Sequence, residues 1–141
     1  MARPRVIQEA GIIDRAQLPR AVGTALEKGD LISYESNACV LVDAAAEDAT
    51  FVGYSINQHA ANDLSPNEMV VGQKGLVEYD ATSFAYIYGG GLLYTSENTL
   101  AVDSGANTIA WAAEDHSAAA VTRIVALINA PLLQKFYGVD A

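Results

Sequence analysis

Hydrophobic positions in this chain come in short runs, punctuated by turn residues roughly every eight to twelve positions, with little of helical period. The stretch from Lys28 to Tyr54 sets the pattern. A Lys28-Gly29-Asp30 turn leads into an apolar strand from Leu31 to Tyr34, and Glu35-Ser36-Asn37 turns the chain. A second strand runs from Cys39 to Val42 and ends at Asp43. An acidic loop, 44–49, precedes a third strand from Thr50 to Tyr54, which can continue through Ser55-Ile56-Asn57. Three short runs of β-formers with turn residues between them predict a meander. The pattern returns sixty residues later: Gly29 matches Gly89, Ile32 Leu92, Tyr34 Tyr94, Val40 Leu100, Val42 Val102 and Asp43 Asp103. With two residues lost in the loop, Thr50-Phe51 matches Thr108-Ile109, so the chain reads as two copies of one β unit.

Between and around these copies, Glu68 to Val71 and Gly75 to Tyr79 predict two further strands, separated by Gly72-Gln73-Lys74. In the second, Leu76 and Glu78 face one side while Val77 and Tyr79 face the other. Phe84 to Tyr88 alternates and reads as a strand, and Gly89-Gly90-Gly91 marks a bend or a close approach of backbones. The run from Val121 to Asn129 closes the set as a strand, with a helix as the alternative because its lead is alanine-rich. The first 22 residues are broken by Pro4, Gly11 and Pro19, so an extended arm is expected there, or a short helix from Asp14 to Leu18. The division is an arm at 1–22, a β domain at 23–130 and a tail at 131–141, in which 132–137 could form one helical turn. Nine or ten short strands point to an all-β fold: a small β-barrel, β-tulip-like or sandwich domain with an extended N-terminal arm.

Composition narrows the function classes. The formal net charge is −9 with eight Lys and Arg, which argues against a nucleic-acid-binding body. Residues 1–22 carry Arg3, Arg5, Arg15 and Arg20 against Glu9 and Asp14, a net +2, so the rest is −11. A basic arm on an acidic body suits docking on an acidic partner; a poorly ordered Arg-rich terminus is the other reading. One cysteine, Cys39, excludes an intrachain disulfide and reads as a buried core thiol. No apolar run reaches membrane-span length and no signal peptide is visible, so a protein soluble in a cytoplasm is expected.

Candidate chemistry is sparse. His59 and His116 read as solvated loop histidines rather than metal ligands, and HEXXH, CXXC and EF-hand patterns are absent. Glu47-Asp48 and Glu114-Asp115 read as surface acids. Neither a nucleophile elbow nor a P-loop accompanies them. Tyr34, Tyr54, Tyr79, Tyr86, Tyr88 and Tyr94, with Trp111 and Phe84, suit a core or a subunit interface; an exposed row of them would instead stack on sugars.

The cadence Lys28-Gly29-Asp30-Leu31-Ile32-Ser33-Tyr34, then Ala49-Thr50-Phe51-Val52-Gly53-Tyr54-Ser55-Ile56, resembles the small head decoration, or cement, proteins of tailed bacteriophages. The run Gly75-Leu76-Val77-Glu78-Tyr79 looks like their next strand, and the resemblance spans roughly 23–129. It implies a compact β-barrel or β-tulip-like domain, a trimer or dimer, bound to the outer face of an expanded capsid and fastening neighbouring major capsid subunits. It implies synthesis in the host cytoplasm, no catalysis, no cofactor or metal, and no nucleic acid or membrane partner. The arm is then the natural clasp, with Arg3, Arg5, Val6, Ile7, Ile12 and Ile13 as contacts. The alternatives are a carbohydrate- or receptor-binding β module of a tail or cell surface, then a small hydrolase.

Overall fold

The computed structural model describes residues 4–11, 14–21, 25–44, 50–59, 68–82, 85–96, 98–103, 107–116 and 123–130. Among them the protein is all-β, with no helix, and is built on closed barrel architecture. The strands are β1 (Arg5–Gln8), β2 (Arg15–Pro19), β3 (Leu31–Glu35), β4 (Ala38–Leu41), β5 (Phe51–Ser55), β6 (Glu68–Gly72), β7 (Lys74–Ala81), β8 (Gly91–Ser96), β9 (Thr99–Val102), β10 (Ala110–Ala112) and β11 (Arg123–Asn129). Where a short helix from Asp14 to Leu18 is the alternative, Arg15–Pro19 form the strand β2, and the closing run is the strand β11. Of the segment read as an arm, β2 pairs with β6 and β1 pairs with β7.

Two five-stranded barrels share one topology. The second runs β7-β11-β10-β8-β9 and closes through parallel pairing of β9 with β7 at Asp80↔Thr99 and Ala81↔Leu100; β1 adds to the same edge of β7. The first runs β2-β6-β5-β3-β4. Its end strands meet in one parallel bridge, Arg20↔Cys39, where Ala21 N donates to Cys39 O at 3.1 Å. Strand for strand, β2–β6 of barrel one correspond to β7–β11 of barrel two. Matching backbone bonds repeat between them: Leu26 exchanges two with His59 as Tyr86 does with His116, and Gly29 N donates to Ser55 O as Gly89 N does to Ala112 O, all at 2.8 Å.

The duplication read from the sequence is therefore larger than its three strands, and its register shifts by one residue after the first hairpin. Tyr34↔Cys39 in barrel one corresponds to Tyr94↔Leu100 in barrel two. Cys39 is thus the equivalent of Leu100, and Leu41 of Val102, because a bulge between Tyr94 and Ser96 adds one residue to the second hairpin. Likewise Gly53 and Tyr54 are the equivalents of Ala110 and Trp111. One stretch behaves differently from its alternating pattern. Ala85 to Tyr88 makes only the Tyr86 bridge before the chain turns at Tyr88-Gly89, where Gly89 sits at φ +84°, a conformation glycine adopts without a Cβ penalty. Phe84 lies outside the described residues.

Each barrel is filled by the inward half of its alternating strands. Leu26, Ile32, Cys39, Val52, Met69 and Val71 form the core of barrel one. Cys39 is fully buried, and desolvation pushes its thiol up to about 12, so it is an inert packing residue. In barrel two, Val77 and Tyr79 of β7 and Ile124, Ala126 and Ile128 of β11 point inward. The same cluster takes in Leu31, Val42, Phe51, Tyr54 and Ile56 of barrel one, so the two barrels share a core. For this reason β5 is buried along its whole length rather than on one face.

Candidate functional site

At one end of the shared core, the Lys28-Gly29-Asp30 turn of barrel one docks on barrel two. Gly29, at φ +95°, packs so closely that a Cβ there would stand 2.8 Å from Pro4 Cβ and 3.6 Å from Val77 Cγ1. Its carbonyl accepts a 2.6 Å hydrogen bond from the Tyr79 hydroxyl, which burial holds well above its ordinary pKa and therefore protonated as a donor. Asn98, at the β8–β9 hairpin tip, donates to Asp30 Oδ1 at 2.9 Å and accepts from Leu31 N at 3.4 Å. Asp30 Oδ2 accepts from Glu27 N at 2.8 Å and closes the turn. The turn thereby covers one mouth of barrel two, where Tyr79, Tyr94 and Asn98 are buried. At the turn's rim, Lys28 Nζ meets Glu9 at 2.7 Å, and Arg15 meets the same carboxylate at 3.3 Å.

The corresponding turn of barrel two has no described residue docked on it. Ile87 is 75% exposed and Tyr88 69% exposed, and a Cβ added at Gly89 would meet nothing within 4 Å. Gly90 and Gly91 stand where barrel one has Asp30 and Leu31. They leave an apolar hollow of about 260 Å³, lined also by Ile87, Leu92, Val102 and Ala112. Tyr88 N donates to Asp115 Oδ1 at 2.6 Å, so the turn is held in shape from behind.

No protein-family model and no curated protein matches this sequence.

Of the six residues singled out as contacts, Arg5, Val6 and Ile7 lie on β1, while Arg3, Ile12 and Ile13 fall outside the described residues. Val6 packs against the shared core, and Ile7 is 45% exposed. Arg5 joins a ladder across β1, β7 and β11. Its Nη2 is 3.1 Å from Glu78 Oε2, and Arg123 spans from Glu78 at 3.2 Å to Asp80 at 2.8 Å. The hydrogen bond from Arg5, with Arg123 adding to it, holds the Glu78 carboxyl below its usual range. A depressed carboxyl pKa adds stability above the unfolded value, about 4.3, and loses it as pH falls through the folded one. Stability should therefore decline as pH drops below about 4, and Glu78→Gln should flatten that limb in urea melts taken between roughly pH 7 and pH 2.5. An unchanged slope would show that the ladder contributes nothing.

The remaining candidates take structural places. His59 is not a solvated loop residue: it is buried, pairing its backbone with Leu26, and His116 does the same with Tyr86. Glu114 accepts from Val125 N at 2.9 Å and lies 3.2 Å from His116 Nε2. The pair Glu47-Asp48 lies outside the described residues, and among those described no three metal-ligating side chains converge. Tyr54, Tyr79, Tyr86 and Tyr94 are buried, and Tyr34 and Trp111 are half-buried. Among the described aromatics Tyr88 alone is largely exposed, so they form no open row. Sequence reasoning missed the exposed turn because Ile87-Tyr88 reads as the end of an alternating strand. The signal that could have found it is Gly89, the match of Gly29.

Proposed function

We propose that this chain is a virion structural protein that binds the outer surface of a tailed-phage capsid and cements neighbouring major capsid subunits. The observation that carries the reading is apolar surface left in water on a rigid double barrel: Ile7 on β1 and Leu127 on β11, flanking β7, are 45% and 43% exposed. Exposed apolar side chains held on paired strands suit a protein contact better than a catalytic cleft. The resemblance of the Lys28–Tyr34 and Ala49–Ile56 segments to decoration proteins supplies the partner class. Arg5, Val6 and Ile7 then lie on the clasp strand, with Arg3, Ile12 and Ile13 beside it in the chain. Buried aromatics argue against the sugar-stacking module, whose rings must face solvent.

A standard interface buries about 800 Å² per partner, and many copies on one shell add avidity. The test mixes the purified protein with purified expanded capsids, pellets them, and counts bound copies. Saturable binding that raises the capsids' resistance to heat is expected. Ile7→Asp should weaken that binding about tenfold or more. A protein that stays in the supernatant at every ratio is not a cement.

A further inference from the structure

The two barrels differ in what covers equivalent surfaces, and the differences complement each other. At the covered mouth of barrel two, Val77, Tyr79, Tyr94 and Asn98 are buried beneath the Gly29 turn. Pairing registers place Ala16, Leu18, Tyr34 and Asn37 at the same positions in barrel one. There Ala16, Leu18 and Tyr34 are only half-buried and Asn37 is exposed. Asn37 nevertheless keeps the left-handed conformation of its counterpart, φ +64° against +50° at Asn98. Among the described residues, barrel one therefore presents a shaped mouth with no turn over it, while barrel two presents a turn with no mouth beneath it.

We infer that the protein self-associates head to tail: the Ile87–Gly90 turn of one copy docks on the Leu18–Asn37 mouth of the next, repeating between chains the contact its own two barrels make within one. Of the three hydrogen bonds of the intrachain contact one can recur, because Leu18 has no hydroxyl where Tyr79 has one and Gly90 no carboxylate where Asp30 has one. Asn37 can accept from Gly91 N as Asn98 accepts from Leu31 N, and the hollow over Gly90 and Gly91 has room for the tip that carries it. The chemistry of the turns fits as well. The tethered turn docks at high effective concentration, so it can carry the charged Glu27 and Lys28 and still stay in place. A turn that must hold a separate chain has no such help. Its flanking residues are the apolar Ile87 and Tyr88, left 75% and 69% exposed in the single chain. Because the two surfaces differ, each contact is heterologous, and the assembly either closes into a ring of two or more copies or extends as a filament.

The experiment needs no capsid, so its failure is separate from failure of the decoration reading. Sedimentation velocity on the full chain, up to roughly 100 μM, should show mass rising above the 14.9 kDa of one copy. Ile87→Asp with Tyr88→Asp should weaken association about thirtyfold or more. Leu18→Asp should do the same from the other side, and exposed Asn37→Arg serves if Leu18→Asp fails to fold. Each blocked variant retains one intact surface. An equimolar mixture of a turn variant and a mouth variant should therefore form a one-to-one heterodimer that neither makes alone. Wild type that stays monomeric overturns the inference. So does a folded turn variant that associates like wild type, or a mixture of folded variants that stays monomeric.

Discussion

Gly53→Ala is expected to be the most damaging conservative change in the chain, lowering stability by about 4 kcal/mol. Gly53 sits on β5 at φ +135°, a conformation that L side chains rarely adopt. An added Cβ would run into the Gly72 carbonyl oxygen on neighbouring β6 and come within 3.1 Å of Val71 Cγ1. Neither neighbour can yield, because Val71 is fully buried and Gly72 is held opposite Tyr54 in the β5–β6 pairing. The duplicated barrel supplies the control. Its equivalent position is Ala110, where the backbone is not in the positive-φ region and a Cβ is already accommodated. Ala110→Gly should cost only about 1 kcal/mol. Urea denaturation followed by tryptophan fluorescence reads both, and the shared core should give one transition for the two barrels. A Gly53→Ala midpoint within error of wild type would rule out the bulged geometry of β5.

Tyr54→Phe is expected to cost about 3 kcal/mol although it removes a single oxygen. The ring is fully buried, and its hydroxyl accepts from Ala10 N and donates to Lys74 O, each at 2.8 Å. One atom thus ties the β1–β2 connection, barrel one and the first residue of β7 together. Phenylalanine keeps the packing and leaves a buried amide and a carbonyl without partners, which is the expensive way to lose hydrogen bonds. Gly72 and Gly75 are shaped around the same group. A Cβ at Gly72 would stand 2.6 Å from Tyr54 Cζ, and one at Gly75 would meet the hydroxyl. Hydrogen exchange separates this account from a general loss of stability. The Ala10 amide should lose protection in Tyr54→Phe more than the Ile124 amide does, and equal losses would argue against the specific bond.

The turns and strands of each hairpin were legible because they depend on neighbours in sequence. The alternation of Val77 and Tyr79 against Leu76 and Glu78, and the runs ending at Tyr54 and Asn129, specify strands through a two-residue period that survives in one chain without any alignment. The duplication was legible only where identical residues persist, at Gly29 and Gly89 or Tyr34 and Tyr94. It was hidden where β2 and β7 share no residue and where β6 and β11 share only Val70 and Val125. A barrel position requires an inward apolar group of suitable volume rather than a particular side chain, so Leu18 and Tyr79 can serve the same place.

By itself, the sequence determined an all-β chain, a free core cysteine, an acidic body and a repeated hairpin, all properties of composition and short-range pattern. Tertiary structure decided the rest: the closing of each sheet through a parallel contact, the burial of Asp30 and Asn98 between barrels, and the exposure of Ile87 and Tyr88. The physical reason is that exposure depends on what lies opposite. Gly29 and Gly89 turn the chain with the same left-handed backbone, yet one packs on Pro4, Val6 and Val77 while the other meets none of the described residues within 4 Å.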